Sequence, residues 1–141
     1  MDQIVTLETA RLAEEVGFNG KVLHFYNHGE NKLIPITLLI SPPTPISVEH
    51  LETTPATLPV DRVPAPTQTD LLRWLMEKYN LVVTVQIDNV VGYYYEIYTT
   101  PNIGKVELVA NCWKSCVEYI DTMENALQEA CKIVKDRREN E

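Results

Sequence analysis

Eight of the nine prolines fall between Pro35 and Pro66, and this clustering organises the whole chain. A prolyl ring fixes φ, removes an amide donor and holds the preceding residue out of the helical region. Neither a helix nor a central strand is therefore expected through Pro42, Pro43, Pro45, Pro55, Pro59, Pro64 and Pro66, and the stretch from Ser41 to Pro66 has almost no periodic apolar pattern. The expected backbone is extended and polyproline-like. Such a segment either wraps over the domain surface or offers a strand to a partner. Isolated prolines without a repeat favour wrapping.

Before the prolines, Thr6 to Val16 reads as a short helix. Thr6 can cap, Glu8 suits the positive N-terminal end, and Leu7, Ala10, Ala13 and Val16 form a narrow apolar stripe. Gly17 supplies a stop. Val22 to Tyr26 then reads as a strand, Asn27 to Glu30 as a turn, and Ile34 to Ile40 as a returning strand that Pro35 confines to a sheet edge.

After the prolines the patterns are clearer. Thr67 and Asp70 form a capping pair, and Leu71, Leu72, Leu75, Met76 and Tyr79 follow on one helical face. Leu81, Val83, Val85 and Ile87 alternate with Val82, Thr84, Gln86 and Asp88, which predicts a strand with the first set inward. Tyr93 to Thr99 and Lys105 to Ala110 give two more strands, and Ser115 to Ile120 extends the sheet further. Asp121 and Glu124 then open a helix striped by Met123, Ala126, Leu127, Ala130, Ile133 and Val134. The expected fold class is α+β: an antiparallel sheet of three to five strands, helices packed on one face, and a C-terminal α-β-β-β-α order. At 141 residues the chain suits a single domain, with 41–66 as the connecting or wrapping segment.

Charge and cysteine content narrow the function classes. Twelve basic against twenty acidic residues give a net charge of −8, which disfavours phosphate backbones and anionic lipid as partners. The longest apolar runs are far shorter than the ~20 residues that span a bilayer, and Met1-Asp2-Gln3 opens no basic and apolar leader, so a cytoplasmic setting is expected. Three cysteines are an odd set that suits free thiols in a reducing compartment.

The strand from Tyr93 to Thr99 carries the candidate binding residues. If Ile97 points into the core with Tyr93 and Tyr95, then Tyr94, Glu96 and Tyr98 share the opposite, solvated face. Tyrosine offers a large contact area at low entropy cost, so this face can anchor a protein, a sugar or a base. The alternative is a cross-strand packing pair covered by the proline-rich segment.

Other candidate chemistry is sparse. His24 and His28 are four apart, as are Cys112 and Cys116, but zinc needs four placed ligands and no second cysteine pair exists. A thiol of Cys112, Cys116 or Cys131 working with His24, His28 or His50 would make a small cysteine-dependent enzyme, yet no local pattern lowers a thiol pKa. The chain contains no G-x-S-x-G, G-x-x-x-x-G-K, G-x-G-x-x-G or H-E-x-x-H run, so no catalytic residue, metal or cofactor is assigned. Lys132, Lys135, Arg137 and Arg138 are interleaved with Asp136 and Glu139 and suit a solvated helix end.

Two resemblances bear on function. The C-terminal α-β-β-β-α order, spanning about seventy residues, is similar to that of double-stranded RNA-binding domains, in which a lysine-rich start of the second helix contacts phosphates. The matching positions here, Asp121, Thr122, Met123, Glu124 and Asn125, carry no positive charge. That resemblance implies an architecture and, as an alternative function, a nucleic-acid-binding module. A second set of segments covers more of the chain: Thr6 to Ala13 with Gly17-Phe18; Ala65-Pro66-Thr67-Gln68 with Leu72, Trp74 and Leu75; Tyr94, Tyr95, Ile97 and Tyr98; and Asn125-Ala126-Leu127 with Glu129-Ala130. These resemble small phage- or prophage-associated proteins of gut bacteria, which have a shorter acidic connection before the tryptophan-containing helix. The resemblance implies a mobile-element setting and transfers no catalytic residue. The expectation is a non-catalytic accessory or interaction protein with a protein partner, acting through Tyr94, Glu96 and Tyr98.

Overall fold

A computed structural model describes residues 3–27, 32–35, 46–47, 62–90, 92–102, 104–116 and 118–140, which divide into two compact units, Met1–Asp70 and Leu71–Glu141. In the first, helix α1 (Leu7–Glu15) starts where expected: the Thr6 hydroxyl accepts from the Thr9 amide at 3.4 Å. It ends at Gly17, whose φ of +89° turns the chain so that the Phe18 amide reaches back to the Ala13 carbonyl at 2.9 Å. Ala10, Ala13 and Val16 are buried.

The expected strand from Val22 to Tyr26 is two strands. The chain bends at exposed Leu23, between β1 (Lys21–Val22) and β2 (His24–Asn27). β2 is the centre of an antiparallel sheet, flanked by β3 (Leu33–Pro35) and, later in the chain, by β5 (Arg62–Ala65). Pro35 thus lies on an edge strand, as expected, and residues 36–40 of that strand lie outside the described residues.

The proline-rich segment contributes more than a wrapping chain. β4 (Ile46–Ser47) pairs with β1, and β5 runs through Pro64, opposite Phe25. The exclusion of a helix and of a central strand is met at Pro64, and the segment read as a connection or wrapping chain also supplies these two short strands. Among the described residues β5 is an edge strand, where every second amide points away from the sheet, the setting in which a strand tolerates a proline. Val5, Phe25 and Val63 are fully buried, the Tyr26 hydroxyl donates to the Val5 carbonyl at 2.8 Å, and the Arg62 guanidinium lies 5.7 Å from the Phe25 ring centre.

Helix α2 (Gln68–Tyr79) opens with the expected cap, the Asp70 amide donating to the Thr67 hydroxyl at 3.1 Å. Leu71 and Leu75 are fully buried, whereas Met76 is exposed, so the apolar stripe is narrower than its spacing suggests. Asn80, at φ +57°, reverses the chain into the second unit's sheet. That sheet is an antiparallel meander, β6 (Leu81–Asp88), β7 (Gly92–Asn102) and β8 (Lys105–Cys116), in the order β6-β7-β8. Helix α3 (Tyr119–Glu139) packs mainly on β6 and β7.

The C-terminal order is therefore α-β-β-β-α, and the molecule is α+β with antiparallel sheets. The boundary near Ser115 differs from the expectation. No separate strand occupies Ser115 to Ile120, because β8 runs on to Cys116 and α3 begins at Tyr119, two residues before Asp121. The Glu118 carbonyl accepts from both the amide and the hydroxyl of Thr122, at 3.2 and 3.0 Å, which closes the first turn early. Leu81, Val83, Tyr95 and Ile97 of the sheet and Met123, Ala126, Leu127, Ala130, Cys131 and Val134 of α3 are buried and form the core of this unit. Ile87, expected inward, is 69% exposed: it pairs with Tyr93 beside the turn, where Tyr93 makes an edge-on contact with Tyr119 of α3 at 5.9 Å. Among the described residues no helix is long and apolar enough to cross a membrane.

Candidate functional site

The alternation along β7 places Tyr94, Glu96 and Tyr98 together on the face opposite α3. Their neighbours Tyr95 and Ile97 are buried, while all three are half-buried. Burial in the core, together with the negative charges of Cys112 and Glu129, pushes the Tyr95 phenol up from 10.0 to about 12. The inner tyrosine is a packing residue. The outer ones are arranged differently.

On the outer face, register brings β6 and β7 side chains into rows. Gln86 lies opposite Tyr94, Thr84 opposite Glu96, and Val82 opposite Tyr98. The Tyr94 hydroxyl donates to Gln86 Oε1 at 2.7 Å, and Gln86 Nε2 donates to Glu96 Oε1 at 3.4 Å. The Thr84 hydroxyl donates to the Glu96 carbonyl at 3.2 Å. Tyr98 completes the chain: hydrogen bonding to the Glu96 carboxylate raises its pKa, with further contributions from desolvation and from the charges of Glu96 and Tyr94. At neutral pH the patch presents a neutral Tyr98 phenol that donates to a carboxylate. Its chemistry is hydrogen bonding and ring contact.

Sequence reasoning placed Lys105 to Ala110 in a strand but missed what lies beside Tyr98. Ala110 pairs with Ile97, yet Leu108 pairs with the very next residue, Tyr98. Val109 is the extra residue of a bulge. Above it, Cys112 and Ala110 share the inner face with their partners Tyr95 and Ile97. Below it, the same even-numbered positions turn to the outer face, so Leu108, 50% exposed, and Val106, 64% exposed, join the tyrosine row. The apolar alternation of Val106 and Leu108 with Lys105 and Glu107 is visible in the sequence. The face it points to depends on a one-residue insertion that no periodicity reports.

His24 sits in β2 of the first unit between Pro35 and Ala65, and burial lowers its pKa. His28 and His50 lie outside the described residues. Cys112 is half-buried in β8, and Cys131 is buried in α3. Cys116 ends β8. Among the described residues no three His, Cys, Asp or Glu side chains cluster as metal ligands would. Lys132, Lys135, Arg137 and Arg138 are exposed near the end of α3. The first turn of α3 contains Asp121 and no basic residue. No protein-family model, curated protein or solved structure matches the chain significantly.

Proposed function

We propose that this chain is a non-catalytic interaction protein of a phage or other mobile element, and that it binds a protein partner through the outer face of the β6-β7-β8 sheet. The observation that supports this reading is the continuity of Tyr94, Glu96 and Tyr98 with Val106 and Leu108: aromatic, hydrogen-bonding and apolar groups adjoin on one exposed face. Aromatic anchors with a polar margin are the composition of protein contact surfaces. The net charge of −8 directs the choice of partner away from nucleic acid and anionic lipid. The mobile-element setting rests on the resemblance of the helix and tyrosine-strand segments to small phage-associated proteins.

The test is capture from host lysate, with and without nuclease, using the wild-type chain and a Tyr94→Ser/Tyr98→Ser variant. A stoichiometric protein that survives nuclease and is lost with the variant supports the reading, provided that the variant's unfolding midpoint stays near wild type. Equal capture by both proteins, or recovery that nuclease abolishes, refutes it.

A further inference from the structure

We propose that a second copy of the chain pairs antiparallel with β8 across a two-fold axis at Val106, joining two three-stranded sheets into one of six strands. This goes beyond the tyrosine-face reading and does not depend on it. Among the described residues β8 has one strand neighbour, β7, so its other edge presents unpaired backbone donors and acceptors. From Lys105 to Val109 every side chain is exposed, and this run contains no proline.

Edge strands are commonly protected by charge, and Lys105 and Glu107 would serve that purpose if they repelled an incoming strand. They have opposite signs and stand two apart, at 3.1 Å from each other in the isolated chain. In an antiparallel pair centred on Val106, Lys105 of each copy faces Glu107 of the other, so the two charges attract instead of repel. The same axis sets Val106 against Val106 and Leu108 diagonal to it. The exposed apolar rows of the two outer faces then become one. Neighbouring axes lose this match: centring on Glu107 opposes two carboxylates, and centring on Leu108 sets Glu107 against Val109 and Lys105 against Asn111. The backbone bonds and apolar contacts supply affinity, and the charges choose the register.

Sedimentation equilibrium of the full chain, from about 1 to about 100 μM, reads the assembly directly. The expected mass approaches twice the 16.1 kDa of one chain. Lys105→Glu and Glu107→Lys each make the facing pairs alike and should weaken self-association by about tenfold or more, while an equimolar mixture of the two variants should restore the dimer, because each then faces its opposite. Both positions are exposed, so circular dichroism should show an unchanged fold. A wild-type chain that stays monomeric throughout, single variants that dimerise as well as wild type, or a mixture that is not restored would each overturn the proposal. Tyr94→Ser should keep the dimer. Loss of partner capture in that variant with the dimer intact separates this inference from the tyrosine-face reading.

Discussion

Tyr95 and Tyr98 stand three residues apart on one strand, and both phenols titrate above their ordinary range for different physical reasons. Burial acts first on Tyr95, and a hydrogen bond to Glu96 acts first on Tyr98. In both cases the folded chain holds the proton more tightly than the unfolded chain does. Their contribution to stability is therefore fully present below the unfolded value of 10.0, and it is lost as pH rises towards the folded value of about 12 at Tyr95. Urea unfolding in this alkaline window should show a falling midpoint, and Tyr95→Phe should flatten that fall in part, with Tyr98→Phe flattening the remainder. An equally steep fall in the double variant would place the pH dependence on other groups. His24 has the opposite sign: burial lowers its pKa below 6.5, so the stability it confers is present above that value and is lost as pH falls through the folded value.

At the scale of elements, one helix and one bulge decide what the second unit presents. α3 covers the face of the sheet carrying Val83 and Ile97, and Leu127 is fully buried there. Leu127→Ala removes methyl groups from a site with no solvent access and should lower unfolding stability by about 2–5 kcal/mol in chemical denaturation. Leu108→Ala, on the uncovered face, should change it by no more than about 0.5 kcal/mol. A large loss at Leu108 would show that the outer face is packed in solution. The hairpin between β7 and β8 turns at Gly104, whose φ of +80° is a conformation that a side chain disfavours. The bulge at Val109 then commits Val106 and Leu108 to the outer face.

At the scale of the molecule, the acidic balance sets how copies and partners meet. A net charge of −8 on each chain makes the assembled species repel one another at long range at neutral pH without forbidding the matched contact at β8, and this repulsion vanishes near the isoelectric point of about 4.9. Solubility should pass through a minimum near that pH, read as turbidity against pH. A Val106→Ser/Leu108→Ser variant should deepen it less, because the exposed apolar row is shortened. An unchanged minimum in the variant would assign the effect to charge alone. The same charge predicts that duplex RNA titrated at two salt concentrations shows no salt-sensitive binding; strong binding that weakens with salt would instead favour the RNA-binding reading of the α-β-β-β-α order.

Elements whose signals are local are legible in the residue order alone. The Thr6 and Thr67 caps, the Gly17 stop, the alternation at the start of β6 from Leu81 to Thr84 and the apolar stripe of α3 all rest on contacts within a few residues, and each appears where its spacing puts it. The period of two along Tyr93 to Thr99 was likewise enough to separate Tyr94, Glu96 and Tyr98 from Tyr95 and Ile97. What lies between elements was not legible. β5 draws Pro64 into a sheet because β2 supplies a partner from far away in the chain, and only an edge position makes a proline tolerable there. α3 begins at Tyr119 because the Glu118 carbonyl captures Thr122, where the spacing had pointed to Asp121. Val106 and Leu108 face outward because one strand is a residue longer than its neighbour across a bulge. A repeat along one strand fixes which residues share a face. Only pairing with a second strand decides whether that face meets the core or the solvent.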